Sequence, residues 1–261
     1  MSEIDTSLAI QDKKTDKELY NYQRGAIEQI FEKFETAPDD HHLLYQLPTG
    51  GGKTVIFSEI VRQYLKTHKK KVVVMTHRIE LCKQTASMLT SFGVVNKVVN
   101  STANLDDQDE YSCFVAMVET LNNRLNEDKL DISDVGLVII DEAHYNSFTK
   151  LFKFFEKSFI LGVTATPLSS NRNLPMNDNY DELIVGESIQ SLIDHEFLAE
   201  VDVYQYNMGL TSLEIGANGD YTVKSSDDLY SSSNMLDKLL EAYNNHAQGK
   251  KTLIFNNGIN T

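Results

Sequence analysis

An α/β fold, with a mostly parallel sheet sandwiched by helices, is predicted by three features of this 261-residue chain. Its apolar runs are short and do not alternate with polar residues: 43–47, KVVVM at 71–75, CFVAM at 113–117, LVII at 137–140 and 160–163. Strands of that kind are buried on both faces, as parallel sheets require. Between the runs lie stretches whose apolar residues recur three and four apart, the period of a helix with one buried face. The polar motifs fall just past the carboxyl ends of the runs, where open α/β sheets bind ligands.

Residues 1–17 are polar and aperiodic and read as a flexible tail. Periodicity begins near Leu19, and 23–35 places Ala26, Ile27, Ile30, Phe31 and Phe34 on one helical face. The strand at 43–47 runs into LPTGGGKT at 47–54, after which Val55, Ile56, Ile60, Val61 and Leu65 mark a helix. KVVVM is the next strand, and from Arg78 the residues Leu81, Met88 and Leu89 continue a helix. Strands at 94–99 and 113–117 are separated by an acidic loop, 106–110; LVII and 160–163 add two more. Past Pro167, residues 169–181 read as a loop and 189–198 as a short helix. VDVYQY at 201–206 alternates like a half-exposed strand, 209–233 is Ser-rich without a period, 235–247 is an amphipathic helix, and TLIF at 252–255 reads as a strand. The chain thus divides into a tail (1–17), a first domain (18–200) and a shorter segment (201–261).

Composition narrows the class. Hydrophobic content of 41% and charged content of 24% are those of an ordinary globular protein. No apolar run approaches the roughly 20 residues that span a bilayer, and the N-terminus lacks signal or transit character. Cys82 and Cys113 lie in apolar periodic segments and read as buried thiols, pointing to the cytoplasm. Net charge is −14, shared unevenly: residues 1–168 hold 19 Lys+Arg against 24 Asp+Glu (net −5), and 169–261 hold 5 against 14 (net −9). A polyanion must therefore meet a local patch. The dense basic run, Lys66, Lys69, Lys70 and Lys71 with His68, reads better as a solvated connector.

The chemistry is concentrated in two motifs. LPTGGGKT stands at a strand-to-helix turn, where Gly50, Gly51 and Gly52 can expose successive N–H groups to phosphate oxygens beside a helix N-terminus, and Thr49 belongs to the same nucleotide-binding set. Lys53 supplies positive charge to the β/γ-phosphates, and the Thr54 hydroxyl can ligate Mg²⁺. Asp141-Glu142 follows LVII directly, so Asp141 can hold Mg²⁺ and Glu142 can orient or deprotonate the attacking water. The plain alternatives are a glycine-rich surface turn and an acidic pair opening a loop.

LPTGGGKT, THR-x-EL at 76–81, VETL at 118–121, DEAH at 141–144 and TAT at 164–166 resemble, in order, motifs I, Ia, Ib, II and III of the superfamily two helicases. The wording is most similar to the DEAH-type motors that include restriction-enzyme subunits and phage-related helicases. The resemblance implies a RecA-like P-loop domain followed by the truncated start of a second one. It implies ATP and Mg²⁺ as cofactors and nucleic acid as partner, DNA in preference to RNA. Accessory nuclease, methyltransferase or specificity subunits belong to the same expectation.

Residue by residue, Gln23 in LYNYQ is similar to the glutamine that reads adenine, although Tyr20 and Asn21 stand where the family often has Arg and Pro. Leu47 stands where a strict Walker A has glycine. The resemblance gives Thr76, His77, Arg78 and Thr120 contacts with the nucleic-acid backbone. Arg78 could instead pair with Glu80 or Glu119, and Thr120 could be a helix N-cap. Thr164 and Thr166 resemble the element that couples the phosphate site to the nucleic-acid site, and His144 the residue that bridges to it. Thr164 and Thr166 could otherwise satisfy loop backbone groups. In the family an arginine finger lies in later motifs, for which 256–261 offers no residue, so this chain alone is expected to bind ATP·Mg²⁺ with little turnover. The competing class is a nucleotide-dependent binding or regulatory module that does not translocate.

Overall fold

The structure, a computed structural model, describes residues 18–127, 129–132, 134–169, 174–207, 210–216 and 221–255. The tail expected over 1–17 lies outside them. Two compact units are present, Met1–Ala199 and Glu200–Thr261.

The first unit is built on a seven-stranded sheet: β1 His42–Gln46, β2 Lys71–Thr76, β3 Lys97–Val99, β4 Cys113–Met117, β5 Val135–Asp141, β6 Phe159–Thr164 and β7 Glu182–Val185. Their order is β3-β4-β2-β5-β6-β1-β7, and every neighbouring pair is parallel. Helices α1 Asn21–Thr36, α2 Lys53–Thr67, α3 Ile79–Ser91, α4 Val118–Asn126 and α5 Ile189–Asp194 belong to the same unit.

The non-alternating runs are explained by a core on each face. Val72, Val74, Leu137 and Ile139 join Ile56, Val61 and Leu65 of α2 in one cluster. Val73, Met75, Val138 and Ile140 join Leu121 and Leu125 of α4 and Phe148 and Leu151 in the other. Successive residues of a strand point to opposite faces, so both faces must be apolar.

Three expectations change. The strand read over 94–99 shortens to Lys97–Val99, because Gly93 (φ 78°) turns the chain out of α3 and Val94 N–H donates to Leu89 O at 3.0 Å, closing the helix end. Part of the loop read at 169–181 leads into β7, which pairs with β1. A turn of 3₁₀ helix, Met176–Asp178, lies within that loop.

The second unit contains α6 Val223–Tyr230 and α7 Ser233–Ala242, which continues as a π-turn over Tyr243–Ala247. Helix α6 falls inside the stretch read as aperiodic; Thr222 caps it, its hydroxyl accepting from Ser225 N–H. The strands expected at 201–206 and 252–255 do not form: among the described residues neither segment enters a ladder, and Val203 and Phe255 are 85% and 89% exposed. Apolar alternation supplies a strand's face but not the neighbour that its N–H and C=O groups need. Among the described residues no helix is long and apolar enough to cross a membrane.

Candidate functional site

The strand tips define one end of the first unit. In register, Gln46 of β1 lies beside Thr164 of β6, and Val163 of β6 beside Asp141 of β5. Two strand spacings, about 10 Å, therefore separate the tip that enters LPTGGGKT from the tip that ends in Asp141.

The glycine loop is shaped by its backbone. Gly50 (φ 84°) and Gly52 (φ 86°) are both left-handed, which a side chain would oppose. At Gly52 a Cβ would also fall 2.5 Å from Gln23 Nε2. Gly52 caps α2, and Lys53 is its first residue. Lys53 is buried, with Nζ donating to Leu47 O at 3.3 Å, so its ammonium folds back over the loop. Thr54 is half-buried, and Thr49 is exposed.

Gln23 is no surface glutamine. It is buried in the first turn of α1, its side-chain oxygen accepting from Tyr20 N–H at 3.0 Å and its Nε2 donating to Tyr22 Oη at 3.4 Å. One lone pair and one N–H remain available to a ligand. The Tyr22 hydroxyl donates to Gly51 O at 2.7 Å, tying this segment to the loop.

Asp141 ends β5 buried, accepting from Glu142 N–H at 3.0 Å. Burial and then Glu142 push its carboxyl up to about 6, against the pull of Lys53. Among the described residues no ion pair compensates it. A desolvated carboxylate, drawn on electrostatically by Lys53, is an oxygen donor of the kind Mg²⁺ takes.

Glu142 has φ 52°, unusual for a residue with a side chain and costing on the order of 1 kcal/mol or more. That turn sets its carboxylate 3.4 Å from His144 Nδ1. His144 Nδ1 also lies 3.0 Å from Thr164 Oγ1. The Thr164 hydroxyl donates to Thr166 O (3.0 Å) and accepts from Thr166 N–H (3.2 Å), so the histidine must be the donor, protonated at Nδ1. Ala143 N–H donates to Val163 O at 3.0 Å, fixing the turn to β6. Loop satisfaction by Thr164 and Thr166 and the link to Glu142 thus occur together.

The third group sits at the tip of β2. Thr76 is fully buried, its hydroxyl donating to Arg78 O (3.2 Å) and paired with Cys82 Sγ (2.8 Å). Its hydroxyl is therefore engaged within the protein. His77 is half-buried with its pKa lowered, first by burial and then by Arg78. Arg78 is exposed and forms no ion pair with Glu80 or Glu119; Glu119 pairs with Lys150 at 2.6 Å. Thr120 is the third residue of α4, whose cap is Met117, so it is not an N-cap.

Contacts distant in sequence escaped the sequence reading. Phe197 lies 4.6 Å from Tyr20 and 5.0 Å from Tyr22, between ring centres, and a Cβ on Gly50 would meet Leu198 at 2.8 Å. The chain after α5 thus returns to the glycine loop.

The family of the type III restriction enzyme res subunit matches residues 16–169. A 51.5 kDa protein of a Lactococcus phage (isolate 7-9) is 30% identical over 221 residues, covering 81% of this chain and 43% of its own length. The Saccharomyces cerevisiae protein IRC3, a candidate ATP-dependent helicase, is 30% identical over 227 residues, covering 80% and 31%. The chain therefore spans less than half the length of either relative. A nuclease-deletion mutant of the Type ISP restriction-modification enzyme LlaGI, solved with a DNA substrate mimic, superposes with a TM-score of 0.54 at 17% identity, covering 69% of this chain and 21% of that one. That likeness shows the fold.

Proposed function

Because the chain belongs to the family of the type III restriction enzyme res subunit and carries its helicase-type ATPase domain, we propose that it binds ATP with Mg²⁺ and, within the whole protein, couples hydrolysis to movement on DNA. One observation carries the reading: Glu142 is held in a strained turn at the same sheet end as the glycine loop and is joined through His144 to Thr164.

The roles follow from the chemistry of each group. Gly50, Gly51 and Gly52 present the backbone to the phosphates, and Lys53 exchanges its bond to Leu47 O for phosphate oxygens. Gln23 offers its remaining donor and acceptor to adenine, beside Tyr22. Thr54 and Asp141 would hold Mg²⁺, which when bound neutralises developing charge on the phosphates. Glu142 positions the attacking water and takes up its proton. His144 senses the state of that carboxylate and passes it to Thr164 and Thr166. Arg78, with His77 and Thr120, meets the nucleic-acid backbone, while buried Thr76 shapes the β2 tip that presents them.

The test is Glu142→Gln, assayed by phosphate release and by titration of a fluorescent ATP analogue. Loss of turnover with nucleotide affinity kept supports the motor. Unchanged behaviour on both counts supports a switch that does not translocate and overturns this reading. Turnover by this chain is expected to be slow, so brisk DNA-stimulated hydrolysis by the 261 residues alone contradicts the proposed dependence on a second lobe.

A further inference from the structure

We propose that Tyr145 is the positioning residue that joins the tip of β2 to Glu142, so that nucleic acid at His77 and Arg78 is felt at the nucleotide site; this rests on the motor reading above. The residue follows DEAH, and none of the roles assigned so far uses it.

Its ring packs against two imidazoles. One is His77, at the end of β2, with ring centres 4.1 Å apart and planes inclined by 32°. The other is His144, 4.3 Å away and inclined by 36°. His77 Nδ1 is enclosed and has no hydrogen-bond partner among the described residues. No hydrogen bond at this nitrogen fixes the imidazole, and Tyr145 is a ring contact that it does have.

The main chain of Tyr145 grips the other end. Its N–H donates to Glu142 O at 3.1 Å, closing the left-handed turn that aims the Glu142 carboxylate. His144, also packed against the ring, lies beside that carboxylate (3.4 Å) and the Thr164 hydroxyl (3.0 Å). On this proposal a shift of the His77 imidazole is passed to the tyrosine by contact, and a shift of the tyrosine reaches Glu142 through the Tyr145 N–H and through His144. Three rings in tilted contact form a contiguous packed path between the sites.

The competing explanation is ordinary packing, since Tyr145 also borders the core formed by Phe148 and Leu151. Tyr145→Phe keeps the flat ring. Tyr145→Leu keeps apolar packing without it, and Tyr145→Met serves the same purpose should leucine loosen the fold.

The experiment titrates the full chain with N-methylanthraniloyl-ATP and Mg²⁺, with and without a saturating single-stranded thymidine 20-mer. The quantity read is the ratio of the two Kd values. We expect a ratio of about fivefold or more for the wild type and for Tyr145→Phe. For Tyr145→Leu or Tyr145→Met it should fall to about one, while each ligand alone keeps its wild-type Kd within about twofold. A leucine or methionine variant with the wild-type ratio overturns the inference, as does one that loses both single affinities together, which marks a packing role. A wild-type ratio of one with the ATP analogue bound overturns the coupling but leaves the nucleotide reading standing. Failure of the wild type to bind the analogue overturns both.

Discussion

Residues 71–75 and 201–206 are both short and rich in apolar side chains, and they meet opposite ends. The first lies in β2, buried throughout, with β4 on one side and β5 on the other. The second is exposed along its length apart from half-buried Tyr206 and enters no ladder among the described residues. Both have strand chemistry, but only one has neighbours. A strand is thus a property of the sheet that accepts it, and in this chain the sheet and both its cores belong to residues 1–199.

The contrast is tested first in the core. Ile139→Ala, in the middle of β5, should cost about 3–4 kcal/mol in urea unfolding, whereas Val203→Ala should cost less than about 0.5 kcal/mol. Equal costs would mean that 201–206 is packed in solution.

A nearly comparable effect should arise where the first unit, among the described residues, buries a carboxylate without an ion pair. The Asp141 carboxyl titrates near 6 in the fold against an ordinary 3.8. Between those values the folded state holds a proton that the unfolded chain has lost, so this group's contribution falls as pH rises and stays low above 6. Asp141→Asn removes the term. Its stability relative to wild type should be unchanged near pH 3 and greater by about 3 kcal/mol at pH 8 without Mg²⁺, as measured by paired denaturant titrations. A gap independent of pH would remove the desolvated carboxylate from the account.

Smaller still is Gln23→Ala, which leaves Tyr20 N–H without its acceptor and should cost about 1 kcal/mol, with weaker preference for ATP over GTP in competition binding. Smallest is a stop after Ala199. If the sheet stands by itself, the melting temperature should move by no more than a few degrees, and a large fall would show that residues 200–261 support it.

Legibility of the fold followed the same division. Parallel strands buried on both faces announce themselves, because each residue must be apolar whichever face it meets; the runs at 113–117 and 137–140 are examples. Strand β7 did not: four residues, two of them outward-facing, gain strand geometry only by lying beside β1. Helix α6 was hidden because its side chains lack a period, and its cap, Thr222 to Ser225, is a local signal easily lost in a Ser-rich stretch. At the site, Lys53 and Asp141 are legible as motifs because strand tips of a parallel sheet share one end. Phe197 and Leu198 are not, since nothing local says that the chain after α5 returns to Gly50. The partner of the buried Thr76 hydroxyl is likewise Cys82 of α3, which the THR motif itself does not name.

The two cysteines carry a practical consequence. They are the chain's full complement, both are buried, and burial raises the thiol of Cys82 and pushes that of Cys113 up to about 12. Neither offers a thiolate to a maleimide at neutral pH. A cysteine introduced at an exposed position such as Val203 can therefore take a dye without background, and single-molecule distance measurements are open to this protein without first stripping its native sulfurs.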